Sequence, residues 1–268
     1  MSTFAILGAT GATGQQIVKF LLRNPDDSVH LYVRNTKKLF ALFPGIESNN
    51  QARIFQGSMN DANLIASCIA STRAVFAVLA SNDNIPGMTI AVDSAVAVLS
   101  AMTVLRENDK SAPLPRVVVL SSVTVNPLLY KSEPKIIHWI VNHAFWHVYR
   151  DLENAEKLYA EIPEDGSPKP DVRFVHPGAI VEGNCSGSVI LSQQSHSAVV
   201  SYGDVARAMV QAGEDADLKW NNVGVLIDGG DLSFTPGIAV EIAGRLVEGL
   251  LWTFVPWIPR VARRLSIL

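Results

Sequence analysis

Cysteine is scarce in this sequence, and its scarcity excludes a fold stapled by disulfides. Only Cys68 and Cys185 occur in 268 residues, whereas small secreted scaffolds depend on several cysteine pairs. Cys68 lies in an apolar, helix-like stretch, where a thiol is usually a small core group. The N-terminus leads directly into a strand-like segment without the pattern of a secretory signal. We therefore expect a cytoplasmic protein.

An excess of one charge and long apolar runs are also lacking. The 22 Lys and Arg residues nearly balance the 25 Asp and Glu residues, so the chain has no electrostatic signature of nucleic-acid binding. The longest apolar run, residues 92–105, contains Asp93 and is shorter than the ~20 residues of a membrane-spanning helix. Hydrophobic residues make up 48% of the chain. These numbers favour a single domain over residues 1–268 with a sizeable core.

A glycine-rich stretch near the N-terminus is the most informative part of the sequence. It follows an apolar segment, residues 3–7, that is typical of a strand buried on both faces. Residues 15–22 follow with apolar side chains at helical spacing. In a strand–turn–helix unit the glycines make a tight turn, admit a pyrophosphate and allow close helix packing. A glycine triplet alone is often a plain turn, but its position and flanks here predict a dinucleotide site. The predicted cofactor-binding residues of the turn are Gly8, Thr10, Gly11, Ala12, Thr13 and Gly14.

The rest of the chain alternates between strand-like and helix-like segments. This alternation predicts an α/β fold with a doubly wound parallel sheet and helices on both faces. Strands are expected at residues 3–7, 29–33, 53–56, 74–79, 117–120, 172–175 and 223–227. Helices are expected at residues 15–22, 62–70, 86–106 and, in one or two pieces, 136–159. The stretch 179–200, poor in charge and rich in glycine and serine, is expected to be a substrate loop.

The Gly-x-x-Gly-x-x-Gly spacing with Ala-Thr inserts resembles that of atypical and extended short-chain dehydrogenase/reductases, especially the NmrA-like NAD(P)-binding proteins. The Asp-Leu-x-x-Ala-Glu pattern at residues 151–156 more narrowly resembles averufin-oxidase-like tailoring proteins of polyketide pathways. The resemblance implies a Rossmann-type domain with a small C-terminal substrate-binding part. We expect substrate-binding elements in residues 123–150, 179–200 and 229–268, and a hydrophobic, aromatic or polyketide-like substrate.

Arg34 indicates which dinucleotide is bound. It lies 20 residues after Gly14, where an acidic residue would bind the ribose of NAD and an arginine suits the 2′-phosphate of NADP. With help from Lys38 it favours NADP(H), the alternative being a solvated basic loop. The resemblance places further segments near the adenine, the central riboses and the nicotinamide. These are Ser58 and Met59, Ala80 and Ser81, and Pro177, respectively, although relatives often carry an acidic residue where Ser58 stands.

Three residues are candidates for catalysis. Ser121 and Ser122 end the fifth strand, and Tyr149 lies 27 residues after Ser122, a separation that suits the catalytic tyrosine of extended relatives. Those enzymes need Tyr-x-x-x-Lys, but Glu153 occupies the lysine position. A carboxylate disfavours the tyrosinate, so Tyr149 is expected to act as a neutral hydrogen-bond donor. Alternatively, Tyr149 is an ordinary helix aromatic and the serines cap a strand end.

Histidines and the C-terminus leave further alternatives. His143 and His147 share a helix face, but residue 144 is not the glutamate of a zinc motif, so no metal is expected. Together with His138 they remain candidates for substrate contact or proton transfer. The C-terminal tail carries tryptophans, prolines that break a long helix, and arginines. It is expected either to touch a membrane surface peripherally or to pack on the domain or a second subunit of a homodimer. The residues concerned are Trp252, Trp257, Arg260, Arg263 and Arg264.

Taken together, the sequence favours an NADP-dependent oxidoreductase. The missing lysine keeps two alternatives open. One is an isomerase, dehydratase or cyclase of the same fold that does not transfer hydride. The other is a non-enzymatic, NADP-sensing regulator of the NmrA type.

Overall fold

Ten strands form the framework of the computed structural model, which describes residues 2–81, 83–131, 134–161, 169–217, 220–228 and 235–259. In chain order they are β1 (Ser2–Leu7), β2 (Asp27–Val33), β3 (Ala52–Gln56), β4 (Ala74–Ala77), β5 (Arg116–Leu120), β6 (Val172–His176), β7 (Ala179–Val181), β8 (Val189–Ser192), β9 (Val199–Ser201) and β10 (Asn222–Ile227). Eight of them form one sheet in the order β3-β2-β1-β4-β5-β6-β10-β8. All neighbours in this sheet are parallel except β8, which runs antiparallel to β10. Strands β7 and β9 form a separate parallel pair.

The helices connect the parallel strands and cover both faces of the sheet. They are α1 (Ala12–Leu21), α2 (Thr36–Leu42), α3 (Ala62–Ile69), α4 (Ile90–Asn108), α5 (Pro127–Tyr130), α6 (Lys135–Ala144), α7 (Trp146–Ala160), α8 (Tyr202–Glu214) and α9 (Pro236–Phe254). Short 3-10 turns occur at Ile46–Ser48 and Val123–Val125. No helix in the described ranges is long and apolar enough to cross a bilayer.

Two hydrophobic clusters fill the space between the sheet and the helices. Helices α1 and α8 cover one face, where Phe4, Ile17 and Met209 are fully buried. Helices α3, α4 and α7 cover the other, where Leu7 and Val98 are fully buried. Successive β1 residues therefore point into opposite clusters. This explains why the strand reads as an unbroken apolar run.

The strand order reverses on either side of β1, and this reversal positions the site. The first crossovers lead from β1 outward through β2 to β3, and the chain then returns to β4 on the other side of β1. Helices leave the carboxyl ends of β1 and β4 in opposite directions, which opens a crevice there. Leu7, the last residue of β1, pairs with Tyr32 on one side and Ala77 on the other. The glycine turn therefore begins at the crevice.

The sequence predictions are confirmed for the order of strands and helices, with three corrections. The fourth strand ends at Ala77 rather than at residue 79. The helix expected at 86–106 begins at Ile90, because Gly87 has a φ of +81° within the preceding turn. The expected loop 179–200 contains β7, β8 and β9. In β8, Val189 and Leu191 are buried while Ile190 is exposed, the alternation of a strand with one solvated face.

Candidate active site

The glycine turn between β1 and α1 is closed so tightly that two of its positions exclude a side chain. Gly8 has a φ of +104°, a left-handed conformation that glycine alone adopts without strain. A Cβ at position 14 would lie 2.1 Å from the Gly8 carbonyl oxygen, whereas a Cβ at position 11 would lie 3.3 Å from it. The amide of Gly11 donates to the Gly8 oxygen at 2.9 Å. The turn therefore fixes the start of α1 directly above the end of β1.

This turn fits the pyrophosphate of a dinucleotide. Gly11, the N-cap of α1, has no side chain to cap the helix, and the first turn of α1 contains no acidic residue. Its first amide groups thus remain available to an anion, and the helix dipole favours negative charge there. Thr10 is half-buried, Gly11 and Ala12 are exposed, and Thr13 is buried. The predicted cofactor residues of the turn therefore form one cradle at the crevice.

The predicted adenine side of the site lies at the ends of β2 and β3. Arg34 and Lys38 are exposed, Arg34 directly after β2 and Lys38 on α2. Ser58 is exposed after β3, and its carbonyl accepts a 2.6 Å hydrogen bond from the Tyr32 hydroxyl. Burial is the main reason why the pKa of Tyr32 is raised to about 12, so this phenol stays a donor. Met59 packs against the adjoining core cluster.

The predicted ribose and nicotinamide contacts occupy the same edge of the sheet. Ala80 is exposed beyond β4, and the Ser81 hydroxyl accepts a 3.1 Å hydrogen bond from the Asp83 amide. Pro177 follows β6, is buried, and accepts a 3.1 Å hydrogen bond from the Val123 amide. These residues follow the carboxyl ends of parallel strands, where ligands bind in open α/β sheets.

The two predicted serines after β5 have different environments. The Ser121 hydroxyl donates to Glu156 Oε1 at 2.5 Å. The Ser122 hydroxyl instead accepts a 3.4 Å hydrogen bond from the Thr124 amide and caps the following 3-10 turn. Ser121 is thus linked to an ionisable group. Ser122 caps a turn, as the structural alternative for the two serines predicts.

His176 supports this end of the sheet from within. Its ring is fully buried. Nδ1 donates to the Ser122 carbonyl at 3.0 Å, and Nε2 lies 2.9 Å from Asn222 Oδ1. Nδ1 also lies 3.9 Å from Glu156 Oε1, which is too long for a hydrogen bond. His176 therefore links β6 to the end of β5 and to β10, beneath the serines.

Tyr149 lies on α7, the helix that also carries Glu156. Tyr149 is half-buried on α7 and packs against Phe145, with ring centroids 5.8 Å apart. It lies seven residues before Glu156, about 10 Å along the helix axis. Glu153, at the position of the expected lysine, forms a 2.8 Å ion pair with Arg150. From this helix, Glu156 contacts the Ser121 hydroxyl.

The histidines of the aromatic segment pack mainly against aromatic rings. His138 stacks on Tyr130 at 3.9 Å, and His143 stacks near Trp139 at 4.3 Å. Burial lowers the pKa of His147, which favours its neutral form. Within the described ranges, no three His, Cys, Asp or Glu groups come together as metal ligands.

A cavity of about 560 Å³ lies beside this segment. Leu128 and Lys131 line it from α5 and the residue that follows, and Gln193 and Gln194 line it from the segment after β8. The cavity is open to solvent, because Leu128, Lys131 and Gln194 are exposed. The lining combines an apolar side chain with a cation and two amides.

The C-terminal helix packs on the domain as far as the structure describes it. A Cβ on Gly249 would lie 1.9 Å from the Ala144 oxygen, so α9 and α6 are in direct contact. The buried Asn84 side chain donates to the Gly249 carbonyl at 3.0 Å and to Thr253 Oγ1 at 2.9 Å. Trp252 is 3% exposed and Trp257 is 65% exposed. The three arginines of the predicted tail lie outside the described residues.

Sequence reasoning missed Glu156 and Asn222. Glu156 carried a signal, because it closes the Asp-Leu-x-x-Ala-Glu pattern and lies two helical turns after Tyr149 on the same face. Asn222, the first residue of β10, carried no signal, because its role exists only when β10 lies beside β6.

Comparison with known proteins agrees with this geometry. Residues 8–216 match a family model described as NAD(P)H-binding. The chain is 34% identical over 264 residues to oxidoreductase claK of Passalora fulva, covering 96% of this chain and 94% of the relative. It is 36% identical over 258 residues to oxidoreductase aflX of Aspergillus parasiticus, covering 96% and 94%. Among solved structures, a short-chain dehydrogenase/reductase from Veillonella parvula in complex with NADP has a similar fold. The TM-score is 0.63 and the identity 18%, covering 87% of this chain and 99% of that one.

Proposed function

The chain belongs to the NAD(P)H-binding family and is an oxidoreductase of Rossmann fold; we propose that it uses NADP(H) and acts on a hydrophobic, aromatic small molecule. One observation carries the proposal. The glycine cradle opens at the point where the strand order reverses, and Arg34 stands exposed at the end of the neighbouring β2.

Arg34 supports NADP(H) over NAD(H). Its guanidinium can make paired hydrogen bonds to a phosphate, and Lys38 adds a second positive charge one helical turn further on. Asn35 caps α2 by accepting hydrogen bonds from the amides of Lys37 and Lys38, so the backbone beside Arg34 is fixed. The glycine cradle would hold the pyrophosphate, with Ser58, Met59, Ala80, Ser81 and Pro177 along the remaining length of the cofactor. When bound, the nicotinamide supplies or accepts a hydride.

The cavity beside α5 supports the substrate class. Leu128 offers an apolar contact, while Lys131, Gln193 and Gln194 offer hydrogen bonds to phenolic or carbonyl oxygens. Tyr130, at the end of α5, stacks on His138 of the neighbouring α6. A flat, oxygen-bearing aromatic molecule matches this combination of apolar and polar groups.

Ser121 is the residue placed best to act on the substrate oxygen. It follows β5 at the carboxyl edge of the sheet and has a hydroxyl that can donate or accept a hydrogen bond. Tyr149 is proposed as a neutral hydrogen-bond donor farther along α7, and Ser122 as a support for the turn. The isomerase and regulator alternatives fit less well, because the full-length relatives are named oxidoreductases.

A cofactor titration tests the proposal. Wild-type protein is titrated with NADPH and NADH, followed by nicotinamide fluorescence, and compared with Arg34→Ala. We expect NADPH to bind more tightly, and Arg34→Ala to weaken NADPH binding about 10- to 100-fold while leaving NADH nearly unchanged. This range corresponds to about 1.5–3 kcal/mol for charged hydrogen bonds. Arg23→Ala, which removes an exposed cation just after α1, is the matched control. Equal affinities for the two cofactors would contradict the choice of NADP.

A further inference from the structure

Glu156 is an ionisable group within the sheet edge to which the sequence assigned no role. Its side chain is 22% exposed. Its carboxyl Oε1 contacts the Ser121 hydroxyl at 2.5 Å. The side chain is thus not sealed from solvent, while Oε1 faces the candidate catalytic serine. This placement suits a group that exchanges protons between solvent and the site.

The neighbours of Glu156 only partly offset the cost of burying its negative charge. His176 Nδ1 lies 3.9 Å away and donates its hydrogen to the Ser122 carbonyl instead. Glu153 adds a second negative charge from the same helix. Within the part of the chain that the structure describes, Ser121 provides the hydrogen bond that Glu156 receives. Burial is the largest effect and raises the pKa of Glu156, although His176 and Ser121 oppose the rise. The neutral acid is therefore favoured here more than at a protein surface.

We propose that Glu156 is a positioning residue that sets the direction of the Ser121 hydroxyl and resupplies its proton. When Glu156 is ionised, the Ser121 hydrogen points to it, and only oxygen lone pairs remain for a substrate. When Glu156 is protonated, its own hydrogen points to Ser121 Oγ, and the serine hydrogen is free for a substrate oxygen. This inference rests on the proposed oxidoreductase function.

The direction in which the Ser121 hydroxyl points determines how protons move during a carbonyl reduction. A reduced dinucleotide held by the glycine cradle would supply a hydride to the carbonyl carbon and would itself be oxidised, and the carbon–oxygen double bond would become single. The carbonyl oxygen takes the proton of Ser121, and Ser121 takes the proton of Glu156. The resulting Glu156 carboxylate is reprotonated by water. The alcohol thus gains one hydride and one proton, and the reverse sequence describes oxidation.

The proposal predicts a specific pH dependence. The titratable or charged groups facing Glu156 are His176 from β6 and Glu153 from α7, with the Ser121 hydroxyl from the end of β5. As pH rises through the raised pKa of Glu156, the carboxyl ionises and carbonyl reduction slows. The same ionisation destabilises the fold. Wild-type stability should therefore fall with rising pH, between the ordinary carboxyl pKa and the raised value, relative to Glu156→Gln.

The experiment compares wild type with Glu156→Gln, which keeps a hydrogen-bond donor for Ser121 but has no carboxyl proton to transfer. Glu161→Gln, an exposed carboxylate at the end of the same helix, is the control. Reduction of acetonaphthone by NADPH is followed across pH, together with NADPH binding. Two further readouts need no cofactor: the infrared band of a protonated carboxyl group and the pH dependence of thermal unfolding.

In Glu156→Gln we expect kcat to fall about 100-fold, within the range of general acid catalysis, with KM and NADPH affinity little changed. The pH dependence of kcat should disappear, and so should the Glu156 contribution to the carboxyl infrared band, which wild type shows between the ordinary carboxyl pKa and the raised value. Glu161→Gln should match wild type in every readout. A wild type without the carboxyl band, or an unaltered kcat and pH profile in Glu156→Gln, would overturn the proposal. If the wild type shows the carboxyl band but does not bind NADPH, the proposed function is wrong. The proposed proton transfer from Glu156 to Ser121 during catalysis is then wrong as well.

Discussion

Alanine substitutions at Gly14 and at Gly11 should separate the two roles of the glycine turn. One role is to close the connection between β1 and α1, and the other is to admit the pyrophosphate. The added methyl of Gly14→Ala would lie 2.1 Å from the Gly8 oxygen and 2.9 Å from the Gly8 carbonyl carbon. These are main-chain atoms that cannot rotate away. The cost should therefore reach the upper end of overpacking, about 3 kcal/mol. In a chain of this size, that corresponds to a Tm lower by about 6–12 °C.

Gly11→Ala should behave in the opposite way. Its methyl would lie 3.3 Å from the Gly8 oxygen, a contact that a small shift relieves, so Tm should change little. The methyl would nevertheless stand where the backbone must approach a pyrophosphate. We expect NADPH affinity to fall tenfold or more, at least about 1.4 kcal/mol. Thermal unfolding and cofactor titration measure both effects. Unchanged NADPH affinity in Gly11→Ala, or an unchanged Tm in Gly14→Ala, would refute the assigned geometry.

Three further outcomes are expected. Tyr149→Phe should lower the turnover of an aryl ketone while NADPH affinity stays nearly intact; unchanged turnover would make this residue an ordinary helix aromatic. Removing residues 250–268 should lower Tm in thermal unfolding, because buried Trp252 is lost with them, whereas removing 260–268 should not. If removing residues 260–268 abolishes sedimentation with anionic vesicles while Tm is unchanged, the tail contacts membranes; a loss of dimer mass in light scattering would instead indicate a subunit contact. Burial opposes ionisation of Asp204, but hydrogen bonds from Ser186 and Ser201 outweigh it and lower its pKa. Its stabilisation is therefore present above the ordinary carboxyl pKa and lost as pH falls through the lowered value, so Asp204→Asn should flatten acid unfolding.

The dinucleotide side of the site was predictable because its determinants are local. The strand, the turn and the helix are consecutive, and two of the three glycines have a steric reason within the same loop. Gly8 needs its positive φ, and Gly14 needs the space beside Gly8. The alternation of strand and helix similarly determines the parallel sheet through the right-handed crossover preference.

The Ser121 environment was not predictable because it is assembled from distant parts of the chain. Glu156 reaches Ser121 only when α7 packs over β5, and Asn222 reaches His176 only when β10 pairs with β6. The motif expected around Tyr149 has a lysine four residues later, at position 153, and does not extend to Glu156. The antiparallel β8 was also missed, since its four residues lie in a stretch rich in glycine and serine.

The most direct test of the central claim is transfer of the hydride itself. NADPH carrying deuterium at the nicotinamide C4 position is incubated with the protein and a set of aryl ketones, beginning with acetonaphthone, and the products are analysed by mass spectrometry. Separate preparations labelled on each face of the ring cover both stereochemical outcomes. The account predicts one deuterium on the carbinol carbon from one of the two labelled cofactors, with an equal amount of NADP formed. Ketones left unreduced, or products that form without deuterium from either cofactor while NADPH remains reduced, would contradict it.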